Sequence, residues 1–293
     1  GVVSAPMAHA ASFNWSTTAS SGTLSTGSNW NLGSAPAASG DTLVFTTSTT
    51  TSLTNNYSSL SVNGITFSGL GSSAFTISGN SITLNGTLSQ GNFNTAQTIN
   101  TNLALATNVS MITSNGAVLN LGGVISGGFR ITKGNSGTLV LSGANTYSGG
   151  TQINIGTIKV SGSGTLGNTS GNLTMNGGTL DLNGTSQTVG NFTGTTGNIA
   201  NNSSGTTSTL TIGGGNGTGG TYSSTIVDHT TGTGIVALAK TGSGTLALSG
   251  ANTFTGGTTI GAGTLSLGSA TTLQSATGTI TIDGGTLATS VSA

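Results

Sequence analysis

The chain has 293 residues, of which only four are basic and four acidic, so its formal net charge is zero. Globular domains carry roughly a quarter charged residues; the 3% found here leaves no charge repulsion to hold the chain unfolded and no basic surface for nucleic acid or anionic membrane. No apolar run approaches the ~18 residues of a membrane span, and the absence of cysteine excludes a disulfide framework and a thiolate metal site.

Residues 1–40 read as an N-terminal arm or cap. Ala8-His9-Ala10 fits the small-x-small pattern before a signal cleavage site, but no basic region or full apolar segment precedes it, and an Ala-rich terminal strand is the competing reading. Val2, Val3, Phe13 and Trp15 are candidates for an assembly arm. Trp15 and Trp30 could stack on sugar rings, but aromatics are so few that anchoring a cap or core is the simpler role. From Asp41 onward, apolar residues come in i, i+2 pairs such as Leu43/Phe45, Ile65/Phe67, Ile82/Leu84, Leu103/Leu105, Leu119/Leu121 and Leu139/Leu141, the two-residue period of strands. Successive pairs lie roughly 16–22 residues apart, the length of a β-solenoid coil. Asn63-Gly64, Asn85-Gly86, Asn115-Gly116, Asn176-Gly177 and Asn183-Gly184 supply turns, because Asn and Gly tolerate positive φ. Solenoid coils are expected over residues 41–132, a first repeat unit over 133–212, a Gly-rich loop and lead-in strand over 213–239, and a second, truncated unit over 240–293.

The repeat is explicit. Ser136–Thr151 returns as Ser243–Thr258 with three differences: Val140/Ala247, Tyr147/Phe254 and Ser148/Thr255. The motif positions are Gly137, Thr138, Leu139, Leu141, Gly143, Asn145 and Tyr147 in one copy, and Gly244, Thr245, Leu246, Leu248, Gly250, Asn252 and Phe254 in the other. Lys133 matches Lys240, and Met175–Leu180 matches Ile282–Leu287, which makes the unit about five coils long. Recurrence by residue type favours in-register stacking over a hairpin sandwich and predicts a rod of about a dozen coils, ~60 Å long at one strand spacing per coil.

Lys133–Val160 and Lys240–Leu267, with the GTLxLSGANTY core, closely resemble the autotransporter-associated β-strand repeat, also called the passenger-associated transport repeat. That resemblance implies a right-handed parallel β-solenoid exported to the bacterial cell surface or beyond. No series of barrel strands follows the second copy, and charge is lower than in adhesive passengers of that kind.

Residues that could carry chemistry are sparse. Asp41, Asp181, Asp228 and Asp283 are spread singly, whereas paired-carboxylate hydrolysis needs two carboxyl groups within ~5–10 Å. His229 beside Asp228 suggests a general base, against a solvated loop. Two distant histidines and scattered aspartates give no metal constellation. Gly162–Gly167 matches GxGxxG only formally, lacking the helix and the later acid, and Gly213–Gly220 lacks the Asp of a calcium nonapeptide. Asn14, Asn56, Asn172 and Asn191 open glycosylation sequons that this composition generates by chance. Thr279-Ile280-Thr281 fits an ice-binding face without a regular ladder around it, and Lys133 and Lys240 read as exposed edge charges. The expectation is a non-enzymatic, cofactor-free extracellular structural protein, a subunit of a surface layer, matrix or head-to-tail filament whose partner is a further copy of itself. An autotransporter passenger fragment acting as adhesin or stalk is the first alternative, and a β-helix binding cell-surface glycans or ice the second.

Overall fold

Strands of three or four residues, each with an inward apolar pair, cannot bury both neighbours' edges unless the chain winds. In the computed structural model, which describes residues 10–36, 40–69, 73–268, 273 and 278–289, it winds into a parallel β-solenoid of about eleven turns. At ~4.8 Å per turn the stack is roughly 50 Å long.

Three columns of parallel strands form the faces. The first runs through Thr42–Phe45, Gly64–Phe67, Leu88–Gln90, Val109–Thr113, Ile131–Gly134 and Thr151–Ile153. The second contains Ser52–Asn55, Thr76–Gly79, Gln97–Ile99, Val118–Leu121, Thr138–Leu141 and Thr157–Val160. The third begins with Leu60–Val62, Ile82–Leu84, Leu103–Leu105 and Ile125–Ser126. It continues through the Thr146 amide, which bonds the Ile125 carbonyl at 2.8 Å, and the Leu166 amide, which bonds Gln187 Oε1 at 2.9 Å. Leu173–Asp181 and Phe192–Ala200 each serve the first two faces in a single nine-residue strand, with register shifts at the corner.

The i, i+2 residues point inward in register. One interior stack reads Leu43, Ile65, Leu88, Met111, Lys133, Ile153 and Met175, and every member is fully buried. The Asn-Gly pairs mark corners and not reversals: Gly64 already opens a strand, while Gly116 and Gly184 take positive φ at turns.

The N-terminal end is closed by aromatics. Trp15 and Trp30 form an antiparallel bridge and meet edge to face, with centroids 4.9 Å apart. Their indole N–H groups donate to the carbonyls of Thr50 at 3.1 Å and Leu24 at 2.8 Å, so both polar handles are satisfied on burial. Phe13 packs on Trp30, and Phe45 carries the contacts on to Phe67 and Phe75. Of the candidates for an assembly arm, Phe13 lies in Ser12–Asn14, which pairs with Thr42–Val44 of its own chain, and both Phe13 and Trp15 are buried among the aromatics of the first described rungs. Val2 and Val3, named with them, lie outside the described residues. Buried Trp15 and Trp30 offer no ring face to a sugar.

Candidate functional site: the repeat core and its buried lysines

Alternation places the repeat's signature inside. Leu139, Leu141, Tyr147, Leu246, Leu248 and Phe254 are fully buried. Asn145 is nearly so, and it links three coils: its Oδ1 accepts the Ile125 amide at 2.8 Å while its Nδ2 donates to the Thr165 carbonyl at 2.8 Å. Asn252 Oδ1 takes the Ile226 amide in the same way. Tyr147 shares a 2.7 Å hydrogen bond with the Thr151 hydroxyl, and burial pushes its phenol well above the usual range. Phe254 stands in its place opposite Thr258, without the hydroxyl.

Lys133 and Lys240 are not the exposed edge charges their type suggested. Both are fully buried. The apolar alternation Ile131-Thr132-Lys133 and Leu238-Ala239-Lys240 turns each side chain inward, and this phase is the signal that could have found them. Lys133 stacks between Met111 and Ile153 and Lys240 between Ile212 and Ile260. Lys133 Nζ donates to the carbonyls of Gly134 at 2.6 Å, Asn135 at 2.5 Å and Ile155 at 3.4 Å. Lys240 Nζ donates to the carbonyls of Thr241, Gly242 at 2.9 Å and Ala262 at 3.4 Å. Three ammonium protons meet three carbonyls, two from the lysine's own turn and one from the next coil. Desolvation lowers Lys133 to about 8 and lowers Lys240 as well, so Lys133 is still largely protonated at neutral pH. Gly156 and Gly263 make room for these cages: both have positive φ, and a Cβ would collide with two carbonyl oxygens and the lysine Nζ.

The two copies occupy different faces. Lys133 lies on the first face, Thr138–Leu141 on the second and Tyr147 on the third. Ile235–Lys240 instead pairs with Thr207–Ile212 on the third face, which continues from Gln187–Val189. Thr245–Leu248 pairs with Gly219–Tyr222, and Gly194↔Tyr222 ties that strand to the first face. Thr253 bonds Ile226 of the second. The unit is therefore one face short of five full turns.

The other candidates hold turns. Asp181 accepts the amides of Asn183 and Asn202 at 3.0 Å each. Asp228 accepts the amides of Val236 and Thr255 at 2.9 Å and the Thr255 hydroxyl at 2.7 Å. His229 is exposed, with Nδ1 3.0 Å from the Gly234 carbonyl. Asp41 is buried and takes the Ala11 amide at 3.1 Å, and Asp283 is exposed in the last described turn. Among the described residues, no three or more His, Cys, Asp or Glu side chains gather, and no helix is long and apolar enough to cross a membrane. A trough of about 620 Å³ on the third face is lined by Thr207, Thr209, Thr259 and Thr281. Ala237 and Ala239 interrupt the threonine column in register, so no continuous hydroxyl lattice forms there.

A family model described as Passenger-associated-transport-repeat matches residues 131–160, 238–267 and 261–288. The third match, overlapping the second, has no SGAN segment, which is why inspection for near-copies passes over it. No curated protein and no solved structure matches the chain. The first two matches begin two residues before the buried lysines and end at Val160 and Leu267, the last inward residues of their strands. The chain thus carries segments that match the passenger-associated-transport-repeat three times along one β-solenoid.

Proposed function

We propose that the chain is a non-catalytic structural rod of a secreted or cell-surface protein, a stalk of the autotransporter-passenger kind. The repeat and the fold fit an autotransporter-associated structural or adhesin-like protein. One observation carries the reading further. Interior positions keep their character in the two copies (Leu139/Leu246, Leu141/Leu248, Tyr147/Phe254, Ile158/Leu265), whereas most outward ones, apart from Thr138/Thr245 and Thr157/Thr264, change in kind: Val140/Ala247, Gln152/Thr259, Asn154/Gly261, Ile155/Ala262 and Lys159/Ser266. A ligand site kept in both copies would show the reverse. The rotation of the copies onto different faces supports the same reading, since it points any shared outer surface in two directions.

A head-to-tail filament is the second form of this role. The inward residues Ile280 and Ile282 are 41% and 54% exposed at the last described rung, which a further coil would cover. Electron microscopy of the purified chain, with whole-cell labelling of a tag in the exposed Gly127–Gly128 turn, tests both. Separate rods of roughly 50 Å and a labelled cell surface are expected. Long filaments would shift the role to the subunit form, and a tag sealed inside intact cells would end the surface assignment.

A further inference from the structure

Two corners of the first copy, with two that precede it, gather outward residues in place of which the second copy has Gly242 and Ala262. Where the first face turns into the second, four successive corners bring together Asn92, Ser114, Asn115, Asn135, Ser136 and Ile155 around a surface cavity of about 430 Å³. The register holds them in line, because Gln90 pairs with Thr113, Ile112 with Gly134 and Lys133 with Ile153. Three rungs at ~4.8 Å make the site ~14 Å long, and its volume falls within the range of small-molecule sites.

The chemistry of the lining is uniform. Three side-chain amides and two hydroxyls surround Ile155, which is 53% exposed, and no lining residue is ionisable. Among the described residues, the side chains of these three asparagines and two serines make no hydrogen bond to the chain. One position along the same turn, by contrast, Gln152 and Asn176 both donate to Asn154 Oδ1, at 2.8 and 3.0 Å. Asn135 also holds φ 57° where the second copy has Gly242 at φ 66°, so a side chain is kept where glycine would fit with less strain.

We propose that this corner cavity binds a short neutral oligosaccharide lying along the rod axis. Asparagine amides offer paired donors and an acceptor to adjacent sugar hydroxyls, and Ile155 supplies an apolar surface for the C–H face of a ring. An anionic ligand finds no free cation in the lining, since Lys133 Nζ is already saturated by the carbonyls of Gly134, Asn135 and Ile155. The site is independent of the rod role, which stands even if the cavity is empty.

The second copy supplies the test variants. Asn135→Gly and Ile155→Ala import its own Gly242 and Ala262, so the fold accepts both. The purified chain is titrated with maltotriose, cellotriose, chitotriose and mannotriose, read by calorimetry and saturation-transfer NMR, with trigalacturonate as the anionic arm. At least one neutral trisaccharide is expected to bind with Kd about 1 mM or better. The double variant should weaken it at least about tenfold (~1.4 kcal/mol) with an unchanged melting temperature. No neutral binding at concentrations up to about ten times that Kd, binding indifferent to the double variant, or tighter binding of trigalacturonate through these residues would each overturn the proposal.

Discussion

Replacing Lys133 by Met tests whether the carbonyl cage or the burial of its charge dominates. Methionine keeps the unbranched stem between Met111 and Ile153 but removes every donor. Two terms oppose each other. Relief of desolvation is bounded by the fall of Lys133 from 10.5 to about 8, and at 1.36 kcal/mol per unit this is about 3 kcal/mol. Against it stands the loss of three hydrogen bonds from a charged donor, each worth ~1.5–3 kcal/mol, with the 3.4 Å contact to Ile155 at the weak end. The cage wins, and Lys133→Met should destabilise the surrounding coils by about 1–4 kcal/mol. Because solenoids open locally, the assay is hydrogen exchange at the amides of 131–158 together with the guanidinium midpoint. Lys240→Met should act alike, and the pair additively, since the cages share no partners. The pH dependence has a definite sign. Below about 8 folded and unfolded chains both hold the proton; from there to 10.5 only the unfolded chain does, so stability rises with pH. Both lysines contribute, and Lys133→Met should remove its own part of the slope. The cleanest window ends near pH 9.5, since the tyrosines act in the opposite sense above it: Tyr222 is pushed up to about 12 and unfolds to a phenol of ~10. A variant as stable as the parent at pH 7 would refute the cage argument, and a parent whose midpoint falls between pH 8 and 9.5 would refute the lowering of the lysines by desolvation.

Gly156→Ala should destabilise by more than about 3 kcal/mol, through positive φ and collision with the cage, whereas Gly162→Ala, with open space around it, should lose only about 1 kcal/mol; thermal melts of the two distinguish cage sterics from backbone preference alone. Native trypsin should cut first after Arg130, because Lys133 and Lys240 are sealed and Lys159 sits half-buried in the strand Thr157–Val160; mass spectrometry showing early cleavage at Lys133 would contradict the burial. Trp30→Ala should remove about 3–5 kcal/mol from the N-terminal rungs and raise exchange around Trp15 and Phe45, leaving the coils beyond residue 150 protected as in the parent.

Strand positions and the winding were legible because alternation is local: Leu139/Leu141 or Ile158/Val160 declare an inward pair without reference to any other coil. Trp15 and Trp30 were legible as anchors from scarcity alone. Lys133 was misread because residue type was weighed above phase, although Ile131 two residues earlier already places it inside. The face on which the second copy falls was not legible. Leu173–Asp181 and Phe192–Ala200 each span two faces in one strand, and the Gly213–Gly217 turn lengthens a coil, so residues per turn vary and 107 residues do not convert to faces by division. The corner cavity was invisible for a related reason: Asn92, Asn115, Asn135 and Ile155 lie about twenty residues apart and meet only through register.

That rotation also constrains how function is written on the molecule. A strand–corner segment that works on either of two faces must meet the same inner environment on both, which the lysine cages illustrate: Lys133 rests on Met111 and Lys240 on Ile212, yet each closes onto its own turn and the next coil. The signature is thus selected by what lies one rung above and below it and not by the direction it faces. Whatever the rod presents to its surroundings has to be encoded in the residues the signature leaves free, at the corners and outward strand positions. In the first copy those residues are Asn135 and Ile155; in the second they are Gly242 and Ala262. A repeat that fixes the interior and leaves the exterior open lets neighbouring coils diverge in binding without loss of the stack, and exchanging these four residues between copies would show whether binding follows the side chains or the face.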